Sequence, residues 1–156
     1  MVTVADKEIV ITRLFDAPRE LVFRAWTDPK HLAIWWGPAG YSSKDCQVDL
    51  KVGGKFSLLL HGTKGDVHPC CGMFREIVEP ERIVYEGILQ EGAGCGAGLP
   101  PRSVVTVTFE DQQGKTLLTI HTRLASILDR DAALESGFGP GWESCLERLA
   151  DYLITT

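Results

Sequence analysis

The feature that most constrains the fold is a change in hydrophobic periodicity near Asp129. Before this residue, apolar side chains recur at every second position in several runs, which is typical of strands with one buried face. After it, they recur at the spacing that forms one face of a helix. The members of this face are Phe138, Trp142, Cys145, Leu146, Leu149, Ala150 and Leu153. The pattern predicts a sheet followed by a long amphipathic helix, with either a kink or the helix start at Pro140.

Seven runs carry the strand signal, and turn residues separate most of them. In the second run, Cys46, Val48 and Leu50 alternate with polar residues up to the turn at Gly53-Gly54. Because the connections are short, the strands are expected to pair as an antiparallel meander. The predicted strands are Glu8 to Phe15, the segment from Tyr41 to Lys51, Lys55 to His61, Cys71 to Val78, Arg82 to Leu89, Ser103 to Glu110 and Lys115 to Leu124.

Two short helices are predicted between the first two strands. Asp16 has the character of a helix cap with Pro18 in the first turn, and the apolar face of this helix is Leu21, Val22, Ala25 and Trp26. Asp28-Pro29 repeats the arrangement and Gly37-Pro38 ends the second helix, whose apolar side is Leu32, Trp35 and Trp36.

An open, strongly curved antiparallel sheet buries its concave face when one helix packs across it. The order of one strand, two short helices, six strands and a long helix fits this arrangement. The predicted fold class is α+β with the helix-grip architecture, in which a sheet of about six to seven strands wraps around the C-terminal helix. A chain of 156 residues has the size of one domain. Residues 1–156 are therefore expected to form a single domain.

Composition and charge exclude several classes of partner. The net charge is −5 and the basic residues are scattered, which argues against nucleic acid. No apolar run reaches the length of a membrane span, and the N-terminal residues lack the pattern of an export signal. A cytoplasmic protein is expected. The five cysteines are an odd number and include the adjacent Cys70 and Cys71, which favours free thiols over a disulfide framework.

The same residues resemble the START-like (SRPBCC, birch-pollen-allergen-like) superfamily, in particular the branch similar to the C-terminal domain of the activator of heat-shock-protein-90 ATPase. The resemblance covers nearly the whole chain. It rests on Asp16-Ala17-Pro18 through Asp28-Pro29, Leu32 through Pro38, Val48-Asp49-Leu50 with Gly53-Gly54, Gly72 through Ile77 with Pro80 through Ile83, and Gly141-Trp142 with Leu146 through Leu149. It implies a helix-grip fold with an internal cavity, but no single reaction, since the superfamily includes lipid carriers, hormone receptors and polyketide cyclases.

Aromatic and aliphatic side chains are expected to line this cavity, and a fully packed core is the alternative. Trp35 and Trp36 are adjacent, so on a helix they point about 100° apart. One is expected to pack inward and the other to rim an opening, unless both only anchor the short helices. The candidate cavity residues are Trp35, Trp36, Phe56, Leu58, Phe74, Tyr85, Phe138, Trp142 and Leu146.

Candidates for catalysis are weak. Glu76 has the parity of Phe74, so it would be a buried carboxylate if that face points inward, and its candidate partners are Arg82, Arg123 and Tyr85. His121 would face either the cavity, as an acid or base, or the solvent.

Metal chemistry has little support in the spacing. The candidate ligands are His61, His68, Cys70, Cys71, Cys95 and His121. Cys70 and Cys71 are consecutive, so on a strand they would point to opposite faces, unlike a cysteine pair with two residues between its members, and there is no second cysteine pair. No metal and no other cofactor is expected. A redox or soft-metal role for Cys70 and Cys71 stays open.

Three functions remain open on these grounds. The first is the binding of a small hydrophobic molecule in the cavity, gated by the glycine-rich segment from Gly92 to Pro101 and by the Trp35-Trp36 helix. The second is an enzyme of the cyclase or hydrolase type that acts on an apolar substrate in that cavity. The third is interaction with a chaperone, which the resemblance to the activator implies. A homodimer through an edge strand or the short helices is also compatible with the sequence.

Overall fold

The computed structural model describes residues 2–36, 42–87, 103–135 and 138–154. The glycine-rich segment from Gly92 to Pro101, which was expected to gate the cavity, lies outside them. The strands are β1 (Val2–Ala5), β2 (Glu8–Phe15), β3 (Ser42–Val48), β4 (Lys55–His61), β5 (Val67–Val78), β6 (Arg82–Gly87), β7 (Val104–Gln112) and β8 (Lys115–Arg123). The helices are α1 (Arg19–Thr27), α2 (Pro29–Trp35), α3 (Ile127–Glu135) and α4 (Phe138–Ile154).

The strands form one antiparallel sheet in the order β1-β2-β8-β7-β6-β5-β4-β3. Strand β2 pairs with β8 along its whole length, with Ile11 opposite Ile120, so an early strand and the last strand lie side by side. Buried and partly exposed residues alternate along β7 and β8, which gives the sheet an inner and an outer face. The fold is α+β and helix-grip, as predicted.

Helix α4 packs its apolar face against the inside of the sheet. Trp142, Leu146 and Leu149 are only 3%, 1% and 0% exposed. The helix begins at Phe138, so Pro140 lies in its first turn, where the missing amide proton of a proline removes no helical hydrogen bond. The helix therefore starts two residues before Pro140, near the start that the sequence predicted.

Two elements were not predicted. Strand β1 is only four residues long and turns into β2 through Asp6, which has a positive φ of 42°. Helix α3 is separate from α4, whereas the periodicity beyond Asp129 suggested one helix. Both elements are short, and short elements give weak periodicity signals.

The helix caps differ from prediction at one of the two sites. Asp28 caps α2, since its carboxylate accepts a hydrogen bond of 2.9 Å from the backbone N–H of Lys30. Asp16 does not cap α1, because that helix begins at Arg19 and its N-cap position is Pro18, which makes no side-chain hydrogen bond. The proline ring already sets the backbone angle at the entry.

No helix among the described residues combines the length and the apolar character that a membrane crossing requires.

Candidate ligand site

All four tryptophans of the chain meet in one cluster, the tryptophan cluster, formed by Trp26, Trp35, Trp36 and Trp142. Trp26 lies at its centre: its ring centroid is 5.0 Å from that of Trp35, 5.7 Å from Trp36 and 5.7 Å from Trp142, on which it stacks at 14°. Trp26 belongs to α1 and Trp142 to α4, while Trp35 is the last residue of α2 and Trp36 follows it. The cluster therefore joins three helices. Such ring pairs add to the energy of simple area burial.

Trp35 and Trp36 differ in role although they are adjacent. Trp35 is fully buried, and its indole N–H donates a 2.8 Å hydrogen bond to the backbone oxygen of Ala25, near the end of α1. That bond satisfies a carbonyl that the helix itself leaves without a partner. Trp36 follows the last turn of α2 in an extended conformation, and its backbone oxygen accepts a hydrogen bond from the Ser43 hydroxyl.

Three aromatic side chains from adjacent strands form a second group on the sheet. Phe56 of β4 lies 5.3 Å from Phe74 of β5 and 5.1 Å from Tyr85 of β6, measured between ring centroids. All three are buried. The alternation of inward residues along each strand places them on the concave face, opposite the tryptophan cluster.

A small cavity lies between the two aromatic groups. Its free volume is about 20 Å³, which is room for about one water molecule. The interior is therefore almost fully packed, which was the alternative to an open cavity. The aromatic rings occupy most of the space that was expected to be open. The lining residues are Trp26, Leu32, Trp36, Phe56, Phe74, Ile83 and Tyr85.

Two of the lining residues carry a buried polar atom that makes no hydrogen bond, namely the indole nitrogen of Trp26 and the hydroxyl of Tyr85. Leaving one buried donor or acceptor unsatisfied costs about 1–3 kcal/mol. Burial, and to a smaller extent the neighbouring Cys145 thiol, raises the pKa of the Tyr85 phenol well above its usual range. Tyr85 therefore stays neutral and keeps its proton over the physiological pH range.

An open groove lies at the surface next to this cavity. It is lined by the end of β3, the β3–β4 loop and the start of β4, and includes the charged residues Asp49, Lys51 and Lys55. Phe56 lines both the groove and the cavity. Phe56 therefore connects the lining of the cavity with the lining of the groove.

The structure places four of the nine expected cavity residues in the lining: Trp36, Phe56, Phe74 and Tyr85. Trp35, Trp142 and Leu146 are buried in the surrounding core and do not line the cavity. The side chains of Leu58 and Phe138 lie outside the described part of the structure.

Sequence reasoning did not select Trp26, Leu32 and Ile83 for the cavity. The signals were present, since Trp26 and Leu32 lie on the predicted apolar faces of the two short helices. Ile83 has the parity of Tyr85 on the same strand.

Glu76 lies on the outer face of the sheet. A β-bulge shifts the register of β5 between Phe74 and Glu76, so that Phe74 pairs with Tyr85 and Glu76 with Val84. The extra residue reverses the parity on which the prediction depended. The Glu76 carboxylate, 46% exposed, pairs with the Arg82 guanidinium, which raises the pKa of Arg82. Arg82 was one of the partners expected for Glu76, but the pair lies on the outer face of the sheet and not in the cavity.

His121 also lies on the outer face. Its neighbours along β8, Ile120 and Thr122, are both buried. The imidazole Nε2 of His121 is 3.3 Å from a carboxylate oxygen of Glu8, and both side chains are partly exposed. Among the residues described, the cavity lining thus contains no carboxylate and no imidazole.

Within the described residues, no group of three or more His, Cys, Asp or Glu side chains could hold a metal ion. The side chains of Cys70, Cys71 and His68, and all of Cys95, lie outside the described part of the structure. Cys46 is a free thiol, and burial together with the neighbouring Asp45 carboxylate raises its pKa. A raised pKa makes a thiol less reactive at neutral pH.

The fold and the cavity between helices and sheet define a protein of the START/SRPBCC type, and the comparison with family models gives the branch. The model described as Activator of Hsp90 ATPase homolog 1-like protein matches residues 16–154. The chain belongs to this family, which confirms the resemblance noted in the sequence.

Solved structures agree on the fold. A protein from Nitrosomonas europaea is 24% identical, with a TM-score of 0.86 over 98% of this chain and 97% of that one. A protein from Chromobacterium violaceum is 28% identical, with a TM-score of 0.78 over 94% and 96%. A protein from Arthrobacter aurescens is 23% identical, with a TM-score of 0.87 over 100% and 92%. No curated protein matches the sequence significantly.

Proposed function

We propose that this protein binds a small, mainly apolar molecule between the tryptophan cluster and the aromatic side chains of the sheet. The observation that carries the proposal is the cavity bounded by Trp26 and Trp36 on one side and by Phe56, Phe74 and Tyr85 on the other. Small-molecule sites are concave, mostly apolar and lined by a few polar groups. This lining has that composition.

Binding requires the cavity to open, because a free volume of about 20 Å³ admits no molecule larger than water. Phe56 is the side chain whose movement opens it. Phe56 belongs to the linings of both the cavity and the surface groove, and we infer that a rotation of its ring about the side-chain torsions joins the two spaces. The ligand then occupies the place of the ring, and its affinity is reduced by the cost of displacing it.

The enzyme alternative receives no support from its two candidates, since Glu76 and His121 both lie on the outer face of the sheet. Interaction with a chaperone remains compatible with the family, but no described surface favours it. We also infer that residues 1–156 form one START-like domain, which the pairing of β2 with β8 supports.

The test is a titration of the purified protein with tetralin, a neutral bicyclic hydrocarbon, followed by tryptophan fluorescence and by the melting temperature. Because all four tryptophans border or surround the cavity, binding there changes their emission. Binding to the folded state alone also raises the melting temperature by mass action.

Two matched variants separate the cavity from the rest of the core. Phe56→Leu is expected to accelerate association, since it shortens the side chain that lines both the cavity and the groove. Phe23→Leu removes the same atoms from the ring pair of Phe23 with Phe109, outside the cavity lining, and is expected to leave association unchanged. No response of the wild type to tetralin, or identical kinetics in both variants, would overturn the proposal.

A further inference from the structure

The two polar atoms of the cavity lining that lack hydrogen bonds point to the chemistry of the ligand. We infer that the bound molecule is neutral and carries a carbonyl or similar oxygen, which accepts a hydrogen bond from the Tyr85 hydroxyl. This inference rests on the proposed function, because it specifies the ligand of the same cavity. Both residues are at least nine-tenths buried, at 2% and 4% exposure.

Both groups are hydrogen-bond donors. An indole N–H donates and never accepts. A phenol does either, but Tyr85 keeps its proton because burial disfavours the charged form. Two donors without partners, on two residues that line one apolar cavity, call for an acceptor. Neither atom finds that acceptor in the protein.

The described lining residues carry no charge, which favours a neutral ligand. The lining consists of aromatic and aliphatic side chains, with no lysine, arginine or histidine among those described. A carboxylate in this place would be buried without a counter-ion, which is far more costly than burying a carbonyl group. A ketone or an ester therefore fits the site, whereas a fatty acid in its ionised form does not.

The experiment compares three probes of nearly the same shape: α-tetralone, tetralin and tetralin-1-carboxylate. The wild-type protein is expected to bind the ketone more tightly than the hydrocarbon, and to bind the carboxylate most weakly. In Tyr85→Phe, which removes only the hydroxyl, the preference for the ketone over the hydrocarbon should fall by about three- to tenfold. The affinity for tetralin should change less than that for the ketone, since tetralin makes no hydrogen bond.

A spectroscopic readout separates a hydrogen bond from a change in packing. The carbonyl stretch of bound α-tetralone labelled with carbon-13 should lie at a lower frequency in the wild type than in Tyr85→Phe.

The outcomes distinguish the two proposals. If tetralin and α-tetralone bind and Tyr85→Phe leaves their affinity ratio and the carbonyl frequency unchanged, the inference is wrong and the proposed function stands. If neither neutral probe binds, the proposed function fails and this inference fails with it. Tighter binding of the carboxylate than of the ketone would also overturn the inference.

Discussion

The ring of Phe56 packs on Gly72, its direct partner across β4 and β5. A Cβ atom built at Gly72 would overlap the Phe56 ring, and it would lie 3.1 Å from the backbone oxygen of Glu86. The missing side chain at position 72 therefore makes the space in which the ring of Phe56 lies. The glycine in β5 thus sets the position of the Phe56 ring, which lines the proposed site.

Gly72→Ala is expected to lower the free energy of unfolding by about 1–3 kcal/mol, because the added methyl group forces the Phe56 ring out of its place. Urea denaturation measures the change. Gly62→Ala is the matched control, since its Cβ would meet only the carboxylate end of Asp66, a side chain that can move. The double variant Gly72→Ala with Phe56→Leu should recover part of the loss. A Gly72→Ala protein as stable as the wild type would contradict this account of the pair.

Trp35→Phe is expected to destabilise the fold by about 2–4 kcal/mol, because it removes buried volume and leaves the Ala25 carbonyl without its hydrogen bond. Thermal or urea unfolding gives the value. The ratio of ketone to hydrocarbon affinity should not change, since Trp35 does not line the cavity. A changed ratio with unchanged stability would show that the role assigned to Trp35 is wrong.

The stability of the protein should depend on Tyr85 at high pH. The folded-state pKa of this phenol is raised above its ordinary value of 10.0, so its contribution to stability is fully present below pH 10 and is lost as the pH rises further. Above pH 10 the unfolded chain ionises Tyr85 and the folded chain does not. The wild type should therefore lose stability faster than Tyr85→Phe, with a difference in slope that rises toward about 1.4 kcal/mol per pH unit well above pH 10.

Unfolding curves of the two proteins at several pH values between about 9 and 11 test this dependence. The difference between them isolates Tyr85 from the other tyrosines and from the lysines. Parallel pH profiles would show that the phenol is accessible to water.

Substitution of the two outer-face residues should leave ligand binding unchanged. Glu76→Gln removes the ion pair with Arg82, and His121→Gln removes the contact with Glu8. Because neither side chain reaches the cavity, the dissociation constants for tetralin and α-tetralone should stay within about twofold of the wild type, a range set by the small energies of surface ion pairs. A loss of binding in Glu76→Gln would instead place the carboxylate in the site.

The fold was predictable because long periodic segments dominate this sequence. The apolar face of α4 and the alternation in β7 and β8 follow from the residue pattern alone, and the packing of Trp142 and Leu149 confirms them. The position of Glu76 was not predictable, since the bulge in β5 adds one residue and has no marker in the alternation. A single shift of this kind moves every following side chain to the other face.

The cavity was predictable only in part. Side chains that alternate toward the concave face, such as Phe74 and Tyr85, were found from parity. The size of the free space depends on how the tryptophan rings pack against each other, and contacts such as the stacking of Trp26 on Trp142 follow from three-dimensional geometry. Likewise, the sequence does not predict that the Tyr85 hydroxyl lacks a hydrogen bond, because this depends on all the atoms that surround it in the folded chain.

The most direct test of the central claim is a set of intermolecular nuclear Overhauser effects between α-tetralone and the aromatic ring protons of the protein. The proposed site predicts contacts of the ligand with the rings of Trp36, Phe74 and Tyr85. Contacts confined to Leu50 and Val52, the exposed apolar side chains of the β3–β4 loop, would show that the molecule stays at the surface and would contradict a binding site inside the helix-grip fold.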